Sequence, residues 1–390
     1  MTNIFASRLS KIKYLPILLV AYLAALMSLP FIRRQKYVIG GHSGELFEDN
    51  GKAFYEFLIN SSSVSAQNVI WYSIQKEGLP EQINVDKIGS FKGYFDYFTA
   101  KCALYTHSSS TDLAPLAFHI KFMQPIRIYL DHGIDGLKKV GWTSKIEPAN
   151  GYVVASDVGR KIKQQYWHLS DDLIIDTGLA RYDRLFEHMK DRKAAKVKRI
   201  LYLPTWREWN YGIEPSSFEN TEYFQKIVSF LRDSRTKQLV TSQHVVLHVE
   251  LHPFCKPYLD AFKQQIGEIE HIEFAFGNIS DEIVKSDMLI TDYSSVCWDF
   301  LYQNKPVVFY QFDQAKYLND RGSYLDFDSQ LFGPVCTTES DLLVALQNCM
   351  SGEEQVSQKL RHHYFTHIDN KNCARVYSVI EELSKNAKSR

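Results

Sequence analysis

From residue 36 onward the chain alternates short runs of β-branched and aromatic residues with longer polar stretches that carry apolar positions at helical spacing. The runs of the first half are Lys36–Gly40, Val69–Ser73, Ala103–Thr106, Arg127–Leu130, Tyr152–Ala155 and Leu173–Asp176. Asp49–Ile59 and Gly159–Trp167 are amphipathic helical patterns between them. A second series follows at Ile200–Leu203, Val245–Val249, Ile272–Phe276, Met288–Thr291 and Val307–Tyr310. Strand runs that alternate with helices predict parallel sheets covered on both faces. The basic stretch 190–199 (KDRKAAKVKR) reads as the end of a helix entering a linker. The pattern therefore predicts an α/β protein of two doubly wound, Rossmann-like halves, 37–195 and 196–390, with a cleft between them. In such sheets ligands bind beyond the carboxyl ends of the strands, so the residues just after each run are the first candidates for function.

Segment 1–36 has a different pattern. Tyr14–Ile32 is apolar over roughly the ~20 residues that a bilayer span requires, with Arg8, Lys11 and Lys13 before it and Arg33, Arg34 and Lys36 after it. Arg33-Arg34 stands where a signal peptidase would need small residues, which argues against a cleaved leader. Basic flanks on both sides fit a helix held at the interface by anionic lipid, or a span. A helix buried against the protein body is the other alternative.

Composition narrows the classes. With 45 Lys+Arg against 45 Asp+Glu, the chain offers no electrostatic case for nucleic acid. The six cysteines are scattered without a CxxC pair, so neither a zinc site nor a disulfide framework is predicted, and a reducing compartment fits.

Candidate chemistry sits after the runs. Asp292-Tyr293-Ser294-Ser295 follows Met288–Thr291 and leads into a helix. Its hydroxyls and N–H groups suit a diphosphate, while helix capping is the ordinary use of such serines. His252, before Pro253, and His132, in Asp131-His132-Gly133, each close a strand in a different half. An imidazole so placed is a candidate for proton transfer. Thr205 and Arg207 follow Ile200–Leu203, and Arg321 lies further on. The two arginines could clamp phosphate oxygens, with surface salt bridges as the alternative. Gly40-Gly41-His42-Ser43-Gly44 follows the first run. There is no GxxxxGK[ST], no strand-linked GxGxxG and no DxD at a strand end, so no obligatory cofactor or metal is predicted.

Seven blocks, in order, carry a family resemblance: GGHSGELFEDNGKAFYEFL (40–58), HGIDGLKKVG (132–141), TGLARYD (177–183), LPTWRE (203–208), ELHPF (250–254), ITDYSSVCWDFLYQNKPVVFY (290–310) and RGSYLDF (321–327). Together they resemble the CDP-glycerol glycerophosphotransferase family of teichoic acid and capsule-type polymer synthesis. The resemblance implies a GT-B fold, CDP-glycerol or a related CDP-polyol as donor, and a lipid-linked or polymer hydroxyl as acceptor. It also implies a place on the cytoplasmic face of the cell membrane. By the same resemblance His132 is the general base and His252 steadies the diphosphate or leaving group. Ser294, Ser295 and Arg321 would hold the diphosphate, with Asp292, Thr205 and Arg207 also on the donor side. Gly133, Lys138, His42 and Ser43 would lie on the acceptor side. One block departs from the family's usual W-H-G-T-P-L-K, reading Asp131-His132-Gly133-Ile134-Asp135-Gly136-Leu137-Lys138. A nucleotide-sugar transferase of GT-B type and an inactive membrane scaffold are the alternative readings.

Overall fold

The computed structural model describes residues 12–139, 147–190, 197–275, 279–353 and 356–388. Arg8, Lys11, Val140, Gly141, residues 191–196 of the basic stretch, and Phe276, on which expectations fell, lie outside the described residues. The chain divides into two compact units, one within 1–134, 142–187 and 364–390, the other within 135–141 and 188–363.

In the first unit every strand pairing is parallel. The strands are β1 (Tyr37–Ile39), β2 (Val69–Ser73), β3 (Val85–Lys87), β4 (Cys102–Tyr105), β5 (Ile126–Tyr129), β6 (Gly151–Val154) and β7 (Ile174–Asp176), in the order β3-β2-β1-β4-β5-β6-β7. The second unit repeats the plan. Its strands β8 (Arg199–Leu203), β9 (Val246–Glu250), β10 (Ile272–Ala275), β11 (Met288–Thr291), β12 (Val307–Tyr310) and β13 (Val335–Cys336) lie in the order β10-β9-β8-β11-β12-β13. Central strands such as β2 and β11 are buried at every position, which is why they read as continuous apolar runs. The two strands without such a run, β3 and β13, are both at sheet edges, where half the positions need no apolar cover. In each sheet the winding reverses once, between β1 and β4 and between β8 and β11, and the carboxyl ends there flank the natural crevice of the fold.

Five helices of the first unit matter below: α1 (Leu15–Ser28), α2 (Asp49–Ile59), α3 (Phe91–Thr99), α4 (Asp157–Trp167) and α5 (Asn372–Lys388). Of the alternatives left open for the first segment, a span does not fit the described helix. Helix α1 has 14 residues, or ~21 Å at 1.5 Å per residue, against a hydrocarbon core of ~30 Å. No helix among the described residues is long and apolar enough to cross a membrane. Instead Leu18, Ala21 and Ala25, spaced along one face, are buried in a cluster with Tyr94, Tyr97 and Phe98 of α3. The opposite face leaves Leu19, Val20, Leu23 and Met27 exposed, and Phe31 beyond it is 88% exposed.

Helix α5 also departs from expectation. Residues 196–390 were expected to form one half, yet 364–390 belong to the first unit. The backbone N–H groups of Asn372 and Cys373 donate to the Asp183 carboxylate, and the Tyr37 hydroxyl donates to Glu381. Gly178, at φ +75°, admits Asn372 so closely that a Cβ there would lie 2.0 Å from the Asn372 amide oxygen. The TGLARYD block is thus partly a seat for the chain's last helix.

Candidate active site

Three imidazoles stand in a row at the carboxyl ends of β1, β4 and β5 in the first unit. His42 and His107 have ring centroids 5.3 Å apart. His107 and His132 are stacked at 4.6 Å with their planes 18° apart. The backbone that carries them is fixed by one carboxylate. Fully buried Asp112 accepts N–H bonds from Thr106 at 3.0 Å, His107 at 2.8 Å and Ser43 at 3.0 Å, tying the loop after β1 to the loop after β4. Gly40 permits this join, since a Cβ there would sit 2.1 Å from the Asp112 carbonyl oxygen.

Asp131 anchors the His132 end. It is buried, accepts the His132 backbone N–H at 2.8 Å and pairs with Lys163 of α4 at 2.8 Å. Burial pushes its carboxyl up, but Lys163 and His132 outweigh that and hold it below its ordinary value. Arg181 pairs with Asp49 and donates to the His132 carbonyl at 2.8 Å. Asn50 bridges the same groups, donating to the Asp131 carbonyl at 2.9 Å and accepting from the Arg181 N–H at 3.0 Å. Gly133 is buried with its N–H toward Asp131. Burial holds His42 and His107 below the usual imidazole range, each aided by a neighbouring imidazole. His42, Ser43, Asp49 and Asp131 all adopt left-handed backbone, with φ of +47°, +54°, +62° and +63°. Four non-glycine residues in that region around one cluster is the concentration of strain expected of a functional site.

The second unit builds a different site. Asp292, buried after β11, accepts N–H bonds from Thr205 at 2.9 Å and Tyr293 at 2.6 Å, and pairs with Arg207 at 2.8 Å. Arg207 is 0% exposed and turns its Nε and Nη2 to Asp313 at 2.6 and 3.0 Å. Burial alone would lower its pKa; Asp292 and Asp313 outweigh that and raise it. This corrects the expectation of a phosphate clamp, because the guanidinium fork is already occupied by two carboxylates. Ser294 takes the capping role, its Oγ accepting the Val296 N–H at 3.3 Å at the start of the helix Val296–Tyr302. The Ser295 hydroxyl takes no part in capping. The Thr205 hydroxyl oxygen is buried without a hydrogen-bond partner among the described residues.

Cationic groups gather beside this frame. Lys138 was expected with the acceptor side, but segment 135–141 belongs to the second unit. The segment is held by Gly136, whose carbonyl accepts from the Tyr324 N–H at 2.9 Å and the Ser323 hydroxyl at 3.0 Å. A Cβ on Gly136 would lie 3.0 Å from the Trp298 ring, so the backbone there packs tightly against that ring. Burial and the Arg321 charge together hold Lys138 below the ordinary ammonium value. Arg321 itself pairs with Glu208 at 3.1 Å. His252 is lowered by burial and then by Lys138. Its Nδ1 accepts the Phe254 N–H at 3.2 Å, so a neutral ring carries its proton on Nε2.

Of the residues singled out from the sequence, His42, Ser43, His132 and Gly133 come together, Thr205, His252, Asp292, Ser294 and Ser295 follow strands of the second sheet, and Arg321 follows the helix Gln314–Asp320. Sequence reasoning missed His107, Asp112 and Lys163. His107 directly follows the run Ala103–Thr106, so the strand-end rule that selected His132 would have found it.

A family model described as CDP-Glycerol:Poly(glycerophosphate) glycerophosphotransferase matches residues 23–382. The chain is 24% identical over 371 residues to the minor teichoic acid biosynthesis protein GgaB of Bacillus subtilis (strain 168), covering 87% of this chain and 39% of that protein. It is 27% identical over 339 residues to the teichoic acid glycerol-phosphate transferase of Staphylococcus aureus (strain NCTC 8325 / PS 47), covering 78% and 81%. Among solved structures, a variant of the wall teichoic acid polymerase TagF superposes with a TM-score of 0.74 at 19% identity, covering 100% of both chains. The chain therefore spans about two fifths of the length of GgaB and about four fifths of the staphylococcal transferase.

Proposed function

The chain belongs to the CDP-Glycerol:Poly(glycerophosphate) glycerophosphotransferase family, and from that premise we propose that it transfers glycerol phosphate, or a related polyol phosphate, from the CDP-activated donor to a hydroxyl of a lipid-linked or polymer acceptor. The names of its relatives support a teichoic acid-type envelope polymer as the product. The observation that carries the reading is the pair of cations Lys138 and Arg321 with the Nε2–H of a neutral His252 near Lys138 in the second unit.

In the proposed reaction the acceptor oxygen attacks the donor's β-phosphorus in line. A new P–O bond forms, the bond from that phosphorus to the bridging oxygen breaks, and CMP leaves with the bridging oxygen. The acceptor proton passes to His132. His252 donates a hydrogen bond from Nε2 to the departing phosphate and keeps its proton, while Lys138 and Arg321 balance the charge, the contribution that usually dominates phosphoryl transfer. The hydroxyls of Thr205 and Ser295 suit donor oxygens, and Asp292 orients the loop that presents them.

The outer face of α1 belongs to the same reading. A short helix with one face packed and the other carrying Leu19, Val20, Leu23 and Met27 suits the interface of a bilayer, flanked by Lys13 and Arg33. It would hold the enzyme at the cytoplasmic membrane face beside a lipid-linked acceptor.

The test is nucleotide release from CDP-glycerol, CDP-ribitol and UDP-sugars in the presence of a prenyl-diphosphate-linked disaccharide. CMP is expected from a CDP-polyol, and His132→Ala should lower the rate by ~10²–10⁴-fold with the melting temperature retained. UDP release without CMP would sink the reading in favour of sugar transfer. Tight CDP-glycerol binding without turnover would favour the scaffold.

A further inference from the structure

The middle ring of the imidazole row has no role in the reaction as written, yet it is firmly placed. Asp112 holds its backbone N–H, Thr106 Oγ1 lies 2.9 Å from its Nδ1, and its face lies against His132 at 4.6 Å. The charged and titratable groups around it come from every neighbouring element. His42 faces it from the loop after β1, Asp49 from α2 and Asp112 from the turn after β4. Asp131 and His132 face it from the loop after β5. Lys163 and Arg181 lie one step further, spent on Asp131 and Asp49.

Two imidazoles stacked at this distance cannot both take a proton easily, because each imidazolium repels the next. Asp131 lies 3.5 Å from the His132 Nδ1 and Asp112 3.9 Å from the His107 Nδ1, so each ring has a carboxylate to support one charge. The pair is therefore built to share a single proton.

We propose that His107 is a positioning residue for the transfer reaction: it fixes the ring plane of His132 and competes with it for one proton, so that His132 keeps a neutral fraction at acid pH. The proposal rests on His132 being the base, as argued above. Its direction follows from the competition. While His107 can take the shared proton, His132 is protonated in only part of the population. With His107 replaced by a ring that cannot titrate, His132 becomes the sole acceptor and is protonated at higher pH.

The experiment uses the full chain and two variants, His107→Phe, which keeps a flat ring, and His107→Gln, which keeps polarity in a smaller volume. Imidazole titration followed by ¹H–¹⁵N NMR is expected to show His132 and His107 titrating in two coupled steps in the parent. In either variant a single His132 step should appear, raised by at least about half a pH unit. The acid limb of kcat/KM for CMP release should move upward by the same amount, which a purely structural loss would not do. An unshifted single step for His132 in both variants overturns the proposal. If the coupled titration is present and the parent releases no CMP from any CDP-polyol, the functional reading fails while the proton sharing stands. If CMP release is normal and the coupling is absent, the reverse holds.

Discussion

Arg207 shows what a residue type does and does not reveal. Its place after β8 marked it as a phosphate ligand, and an arginine there has the right chemistry. What decides its role is whether the charge is already spent, which depends on Asp313, more than a hundred positions away in sequence. Removing one partner of a buried ion pair leaves the other uncompensated and typically costs about 3–5 kcal/mol. Arg207→Met should therefore unfold at much lower denaturant, while Arg321→Gln should keep its unfolding midpoint and show a raised KM for CDP-glycerol. An Arg207→Met protein with a normal midpoint and a weakened donor KM would return Arg207 to the phosphate site. The histidines were more legible because a strand end fixes position as well as chemistry. His107, His132 and His252 each stand two or three residues beyond a strand.

Among the elements, the buried strands were the most readable, and Met288–Thr291 and Val307–Tyr310 stand where their runs lie. Helix α1 was the least readable. Its sequence is apolar on every side, so periodicity could not separate a span from a helix with one packed face. The separation comes from Ala21 and Ala25, whose small side chains are buried against α3, while the larger neighbours point outward. These two faces should respond differently to substitution. Leu19→Asp combined with Leu23→Asp should leave the melting temperature unchanged and reduce cosedimentation with vesicles containing anionic lipid. Ala21→Leu should do the opposite, with an overpacking cost of about 1–3 kcal/mol and little change in vesicle binding. Loss of stability without loss of vesicle binding in the double aspartate variant would remove the membrane role from this face.

For the whole molecule, two Rossmann-like sheets could be read from the order of runs, but the ownership of the tail could not. A terminal amphipathic helix carries no mark of which sheet it will cover. Its seat depends on Asp183, Gly178 and Tyr37, all distant in sequence. Ending the chain at residue 363 should therefore loosen the first unit selectively. Limited trypsin digestion is expected to cut within 12–187 and spare 197–353. Cleavage concentrated in 197–353 would show that the tail supports the second unit instead.

The discontinuity also has a consequence for the protein's manufacture. Every strand of the first sheet leaves the ribosome before any strand of the second, yet α5, which covers Tyr37 and buries Val376 and Ile380, is made last. At ~5–20 residues per second, about 9–35 s separate residue 187 from residue 364. During that interval the first-made sheet waits with part of its cover missing. The sheet that starts later is the one that can finish first, so a chain stalled near its end would carry a complete second unit and an unsealed first.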